Sequence, residues 1–106
     1  MDSVGMMLLD RIREALHEAY GERLRGVVLF GSVARGEAVE DSDVDVLVLL
    51  DGPIRYAEDL LTNLVALEGL SSEIARRISP KPIDAQAFPI DDSPLIRAAR
   101  EEGIRL

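Results

Sequence analysis

The feature that most constrains the fold is a fully apolar run at residues 27–30 that stops abruptly at Gly31. A short run of this kind, without a polar face, is typical of a β-strand buried on both sides. A second such strand is predicted at residues 43–50, where an apolar sequence follows two aspartates. Strands of this type need helices to cover them, so the two runs predict a sheet packed against helices.

The spacing of apolar residues elsewhere predicts those helices. Apolar positions three and four residues apart indicate an amphipathic helix at residues 8–19. The same spacing indicates a longer helix at residues 57–78, which Gly69 either kinks or splits in two. Residues 32–35 predict a short helix directly after the first strand, and a Ser-Pro pair predicts the start of a last helix at residues 94–103.

A third strand is predicted at residues 82–88, with Pro82 and Pro89 confining its pairing to an edge of the sheet or to its ends. Residues 104–106 are expected to form a tail. The alternation of helices and strands predicts an α/β or α+β domain with a small sheet of about three or four strands flanked by helices. Strand order and direction stay open at this stage.

Composition narrows the class of protein. With 106 residues, 47% of them apolar, the chain is expected to form one soluble domain spanning residues 1–106. No run approaches the roughly 20 apolar residues of a membrane span, and no signal peptide is evident, so a cytoplasmic protein is expected. The net charge of −8 argues against direct binding of nucleic acid. With no cysteine and with His17 as the lone histidine, any metal is expected to be held by oxygen ligands.

The turn at Gly31 and Ser32 is the first candidate for chemistry. A strand that breaks at glycine and enters a helix through serine points backbone N–H groups outward, and helix starts of this kind bind phosphate. Ser32 adds a hydroxyl to those donors. The same residues serve equally well as an ordinary helix cap, so this turn on its own leaves both interpretations open.

Two aspartates, Asp43 and Asp45, stand two residues apart at the start of the second strand. Side chains alternate across a strand, so both carboxylates are expected on one face, close enough to share a cation. Like charges at this spacing repel each other unless a positive ion lies between them, and oxygen ligands favour Mg²⁺, Mn²⁺ or Ca²⁺. The alternative is that both residues lie in a solvated loop before the strand.

A third carboxylate, Asp84, lies in the third predicted strand, although aspartate is disfavoured inside strands. If that strand lies beside the one that carries Asp43 and Asp45, the three carboxylates converge and are sufficient to hold two cations that also bind a triphosphate. The alternative for Asp84 is a charge on an edge strand that prevents aggregation.

Together, Gly31-Ser32, a gap of ten residues and then Asp43-Val44-Asp45, with a later strand aspartate, resemble the polymerase-beta-like nucleotidyltransferase superfamily. The fuller strings GSVARGEA at residues 31–38 and SDVDVLV at residues 42–48 resemble the minimal nucleotidyltransferases (MNT) within it. Proteins of this group are typically encoded beside a HEPN-domain protein as toxin–antitoxin pairs. The resemblance covers nearly the whole chain.

The resemblance implies a mixed β-sheet flanked by helices, ATP as substrate and two Mg²⁺ ions. The residues that it assigns to metal binding and catalysis are Asp43, Asp45 and Asp84. Asp84 is also expected to help deprotonate the attacking hydroxyl. The residues expected to bind the nucleotide are Gly31, Ser32, Arg35 and Ser42. For Arg35, a surface salt bridge to a neighbouring acidic residue is an equally weighted alternative to a phosphate contact.

The resemblance further implies AMPylation, with AMP transferred from ATP to a tyrosine hydroxyl of a HEPN toxin whose RNase activity is thereby silenced. Larger relatives carry another domain that helps to shape the acceptor site, whereas 106 residues leave no room for one, so a hetero-oligomer with the toxin is expected. Exposed apolar residues at 56–78, or Leu95, Ile96 and Ala99 in the last helix, are candidates for the docking face. Two other functions stay open: transfer to a small hydroxylated molecule such as an antibiotic, and an antitoxin that occludes its partner without catalysis.

Overall fold

Four strands form one sheet, in the order β3-β2-β1-β4. The strands are β1 (Leu24–Phe30), β2 (Val44–Leu50), β3 (Ile78–Asp84) and β4 (Ile104–Arg105). The helices are α1 (Ser3–Tyr20), the very short α2 (Gly31–Ala34), α3 (Tyr56–Ile74) and α4 (Pro94–Glu102), with a 3-10 turn at Gly21–Arg23. This computed structural model describes residues 3–34, 36, 43–74 and 76–105.

The sheet is mixed, with helices on both faces. β1 runs antiparallel to its neighbours β2 and β4, whereas β2 and β3 run parallel. A parallel pair needs a crossover connection, which α3 supplies. The predicted α/β (α+β) class is confirmed. The expected tail is wrong, because Ile104 and Arg105 pair with Leu29 and Val28 as the short strand β4.

Both faces of the two central strands are covered by apolar side chains. The even-numbered residues of β2 belong to one cluster with α1 and α3, while Leu47 and Leu49 belong to a second cluster with Phe88 and α4. All five residues at 46–50 of β2 are 0% exposed. The apolar runs of the sequence are therefore strands buried on both sides. Among the helices in the described ranges, none has the length and apolar character needed to cross a membrane.

The long helix ends earlier than the sequence pattern predicts. α3 continues unbroken through Gly69 and ends at Ile74, and Ile78 begins β3 instead of closing the helix. β3 accordingly spans 78–84 in place of the predicted 82–88. The reason is that Ile78 stands four residues after Ile74 and is buried, so it satisfies the helical period although it lies in a strand.

Two prolines fit within β3 because it is an edge strand. The N–H of Val44 donates to the carbonyl oxygen of Arg77 at 2.9 Å, so the odd-numbered residues of this parallel ladder face β2. Pro80 and Pro82 then belong to the outward-facing set, where a missing N–H removes no ladder hydrogen bond. The expectation that Pro82 restricts its strand to an edge of the sheet is confirmed.

A partly buried ion pair connects the start of α3 to the turn before β1. Arg23 donates to both carboxylate oxygens of Asp59, at 2.6 and 2.9 Å, and the Asp59 side chain is only 7% exposed. These hydrogen bonds lower the pKa of the Asp59 carboxyl. The hydroxyl of Tyr20 lies within hydrogen-bond distance of the main-chain oxygen of Asp59 and the side-chain oxygen of Asn63, and burial raises the pKa of Tyr20 to about 12. This polar cluster lies at the start of β1, at the end of the strand away from Gly31.

Candidate active site

Gly31 lies where β1 ends and α2 begins, as the sequence predicts. Its φ of +77° is in the left-handed region that favours glycine. A Cβ added here would lie 2.3 Å from Oδ2 of Asp45, so the main chain of the turn lies directly against this carboxylate. Glycine thus makes the turn possible and also leaves room for the Asp45 side chain.

Asp43 immediately precedes β2, and Asp45 is the second residue of that strand. Val44 between them is fully buried in the cluster with α1 and α3, so the alternation of side chains places both aspartates on the other face. Asp45 is paired with Phe30, the last residue of β1, which brings it to the Gly31 turn. Both aspartates are partly exposed and hence accessible to a ligand.

Arg77 is a third charged residue at this end of the sheet, and the sequence pattern did not identify it. Its Nη2 lies 3.0 Å from Oδ2 of Asp43, and its main-chain oxygen accepts the hydrogen bond from Val44. The hydrogen bond and charge of Asp43 raise the pKa of the Arg77 guanidinium. The pair joins residues 34 positions apart in the chain, so no local pattern could reveal it.

Asp84 lies in the strand beside β2 but not beside the other two aspartates. The parallel register pairs Asp45 with Ser79 and Asp84 with Leu50. Asp84 is therefore five positions further along the sheet, roughly 17 Å away at about 3.3 Å per residue. Its neighbour Ile83 packs with the apolar cluster on the Asp45 face, so alternation turns Asp84 towards the opposite face. The expected convergence of three carboxylates does not occur.

Asp84 instead stabilises the turn that follows β3. Its Oδ1 accepts a hydrogen bond of 2.9 Å from the N–H of Gln86, two residues further along the chain. A Cβ added to Gly52 would lie 2.3 Å from its Oδ2, so the carboxylate also packs against the main chain after β2. A hydrogen bond of this kind is typical of aspartate in a turn.

Asp43 and Asp45 fit Mg²⁺ as a pair. Within the part of the chain that the structure describes, no group of three carboxylate or histidine side chains could hold a metal ion. Mg²⁺ usually keeps several waters and binds through one or two carboxylates together with substrate phosphates, so two aspartates suffice. Asp43 also contacts a cation already, the guanidinium of Arg77, at an accessible position where its side chain is 38% exposed.

Three residues predicted to contact the nucleotide lie wholly or partly outside the described part of the molecule. The main chain of Ser32 belongs to α2, but its side chain is not among the described parts of the molecule. Arg35 and Ser42 lie outside the described residues. Their phosphate contacts stay predictions.

The fold and the paired aspartates at the glycine turn together define a nucleotidyltransferase type of domain. The chain belongs to the nucleotidyltransferase domain family, whose model matches residues 9–103. It is similar to the protein adenylyltransferase MntA of Thermococcus cleftensis, with 40% identity over 77 residues that cover 70% of this chain and 75% of that protein. It is also 41% identical over 56 residues to a provisionally named protein adenylyltransferase of Methanocaldococcus jannaschii. That match covers 53% of this chain and 56% of the relative, so the chain spans little more than half of the relative's length.

Among solved structures, the fold is similar to that of a chain in a toxin–antitoxin crystal structure with AMP-PNP. The two chains superpose with a TM-score of 0.67 at 19% sequence identity, and the alignment covers 91% of this chain and 69% of the other. At this level of identity the similarity concerns the fold. The nucleotidyltransferase fold that the sequence motifs implied is thus confirmed.

Proposed function

We propose that this protein is a Mg²⁺-dependent protein adenylyltransferase that transfers AMP from ATP to a tyrosine hydroxyl of a partner HEPN-domain toxin and so acts as its antitoxin. The observation that carries the proposal is the contact between the Gly31 turn and Asp45, with Asp43 beside it. Family membership supports nucleotide transfer, and the name of the similar MntA protein supports a protein acceptor. The similar toxin–antitoxin structure with AMP-PNP supports ATP as the nucleotide and a toxin as the partner.

In this proposal the main chain at Gly31 and Ser32 binds the triphosphate, while Asp43 and Asp45 would hold Mg²⁺. Bound Mg²⁺, of which two ions are expected from the resemblance, supplies charge neutralisation on the α-phosphoryl group and the pyrophosphate. The tyrosine oxygen forms a bond to the α-phosphorus, the bond from that phosphorus to pyrophosphate breaks, and the hydroxyl proton is released to water. Asp84 has no part in this step because it lies at the far end of the sheet.

The charge of the protein makes metal and nucleotide binding interdependent. A chain with a net charge of −8 and two aspartates at its site repels an uncompensated triphosphate. Mg²⁺ bound by Asp43 and Asp45 would supply the positive charge that offsets this repulsion. ATP is therefore expected to bind weakly in the presence of a chelator and much more tightly with Mg²⁺.

We place the docking face for the toxin on α3. Four of its apolar side chains are exposed by about half or more: Tyr56, Leu61, Leu64 and Val65. Leu64 and Val65 also line a groove of about 350 Å³ between α3 and β3, whose lining includes Arg77. Because Arg77 contacts Asp43, a partner bound along this groove lies next to the proposed metal ligands.

The last helix does not offer the docking face that the sequence suggested. Leu95 is 39% exposed, but Ile96 and Ala99 are buried at 5% and 1%. Both pack against the sheet together with Phe88. Their apolar character therefore belongs to the core, and that alternative is wrong.

The test is to incubate the purified protein with the product of the neighbouring gene, Mg²⁺ and ATP labelled at the α-phosphate. Label on a tyrosine of the partner is expected, and chelator should abolish it. Asp45→Asn should reduce labelling by roughly 100-fold or more, because an amide does not offset divalent charge. Asp84→Asn is the matched control, with the same chemical change at the other end of the sheet, and should retain labelling.

Other outcomes of this experiment contradict the proposal in distinct ways. Label transferred from the γ-phosphate would indicate a kinase-like reaction. Label that appears only on an added small alcohol would indicate a small-molecule transferase. Stable binding without label, in both wild type and Asp45→Asn, would indicate an antitoxin that acts by occlusion. Equal loss in Asp84→Asn and Asp45→Asn, with unchanged melting curves, would contradict the two-carboxylate site.

A further inference from the structure

The guanidinium of Arg77 pairs with Asp43, one of the two proposed metal ligands. Nη2 of Arg77 lies 3.0 Å from Oδ2 of Asp43, and the Arg77 side chain is 80% exposed. The main chain of Arg77 is held in place, since its oxygen accepts the 2.9 Å hydrogen bond from Val44. Because the main chain of Arg77 is fixed and its side chain is exposed, the guanidinium can change its position while it stays close to Asp43.

The carboxylate of Asp43 faces two competing cations. A divalent ion bound to Asp43 would lie a few ångströms from the guanidinium, and like charges at that distance repel each other strongly. An exposed ion pair is weak by comparison, so a divalent ion with its accompanying phosphates displaces it. The displaced guanidinium is then available to bind another anion close by.

We propose that Arg77 covers Asp43 in the metal-free protein and binds an oxygen of the triphosphate once metal has taken its place, an inference that rests on the proposed function. A guanidinium is always charged and presents donors in a fork that matches a phosphate group. The triphosphate is the anion that arrives with the metal at this position. Arg77 thus pairs with Asp43 in the metal-free site and with the triphosphate in the loaded site.

Among the described residues, Glu68 is another anion near Arg77, because both residues line the groove between α3 and β3. If the displaced guanidinium moved to Glu68, nucleotide affinity would not depend on Arg77. A guanidinium that binds the triphosphate makes nucleotide affinity depend on Arg77, whereas one that binds Glu68 does not. This difference decides the experiment.

The test is titration calorimetry on wild type and three variants, first with Mg²⁺ alone and then with α,β-methylene-ATP at saturating Mg²⁺. Arg77→Ala should bind Mg²⁺ up to about 5-fold more tightly, because the competing ion pair is lost. The same variant should bind the nucleotide analogue roughly 10-fold or more weakly, because a charged hydrogen bond is lost. Arg77→Lys keeps the charge without the fork and should fall between wild type and Arg77→Ala in nucleotide affinity.

Arg55→Ala is the control for the change in net charge. Arg55 is exposed, its side chain pairs with Glu58, and it precedes α3, whereas Arg77 follows it. The 19 residues of α3 separate the two positions by roughly 28 Å at about 1.5 Å per residue. Both affinities of this variant should stay within about twofold of wild type.

The opposite signs of the two effects separate an exchange from a structural role. Weaker binding of both Mg²⁺ and nucleotide in Arg77→Ala, or values equal to those of Arg55→Ala, would overturn the role of Arg77 and leave the proposed function standing. Unchanged nucleotide affinity with tighter Mg²⁺ binding would mean that the displaced guanidinium does not bind the nucleotide and would also overturn the proposal. A wild-type protein that binds neither ligand would instead remove the proposed function.

Discussion

Gly31→Ala tests the contact on which the proposed site depends. A Cβ at residue 31 would lie 2.3 Å from Oδ2 and 3.2 Å from Cγ of Asp45. Ordinary van der Waals contact begins near 3.4 Å, so the carboxylate has to move by about 1 Å. The φ of +77° adds a backbone penalty, because alanine is unfavourable in the left-handed region.

The two effects have different magnitudes and different readouts. The left-handed backbone costs roughly 1–2 kcal/mol, which lowers the melting temperature by about 5–15 °C in a domain of this size. A displacement of about 1 Å in an active site lowers the rate by roughly 100-fold. Gly31→Ala should therefore fold with reduced stability, while both Mg²⁺ affinity and AMP transfer fall far more than stability alone explains.

Gly21→Ala separates the effect of backbone strain from the steric clash between a Cβ at residue 31 and the Asp45 carboxylate. Gly21 also has a positive φ, +60°, but a Cβ there would meet no atom within 4 Å. Gly21→Ala should lower the melting temperature less than Gly31→Ala does, and the Mg²⁺ affinity of Gly21→Ala should equal that of wild type. In an Asp45→Ala background the colliding oxygen is absent, so Gly31→Ala should then destabilise no more than Gly21→Ala. Equal losses for the two glycine variants, together with unchanged Mg²⁺ binding in Gly31→Ala, would refute the reasoning.

The buried polar cluster yields two predictions of pH dependence. Arg23 holds the pKa of Asp59 below its ordinary value, so this pair stabilises the fold above the usual aspartate range and the contribution disappears as pH falls through the lowered pKa. Asp59→Asn should lower the free energy of unfolding by roughly 2–4 kcal/mol at pH 7. Urea titration at about pH 3 should show a smaller difference in this free energy between wild type and variant. An equal difference at the two pH values would contradict this assignment. Burial raises the pKa of Tyr20 from 10.0 to about 12, so its contribution is complete below the unfolded value and is lost as pH rises through that window. Tyr20→Phe should flatten the fall in stability over this range, and an unaltered alkaline unfolding curve would exclude Tyr20 as its cause.

The part of the site built on β1 and β2 could be predicted from the sequence. Gly31 stops an apolar run and thereby marks the end of β1. Asp43 and Asp45 share a face because alternation along a strand is a local property. In each case neighbouring residues contain the information.

Asp84 shows where the sequence argument fails. Its strand lies beside β2 as expected, but its distance from Asp45 depends on the register between two parallel strands. That register is set by how α3 crosses over and packs, because Leu67 and Leu70 of α3 share a cluster with Ile78 at the start of β3. A slip of a single residue would turn every side chain of the strand to the other face.

The sequence by itself determined the buried strands, the glycine turn and the paired aspartates, because each depends on the period and chemistry of a few adjacent residues. Only the tertiary structure decided that Asp84 lies apart, that Arg77 contacts Asp43, and that Ile96 belongs to the core while Leu64 stays exposed. These features join residues that are distant in the chain, and they follow from packing and strand register. Apolar spacing shows that a residue prefers burial, but only the packed structure shows which neighbour buries it.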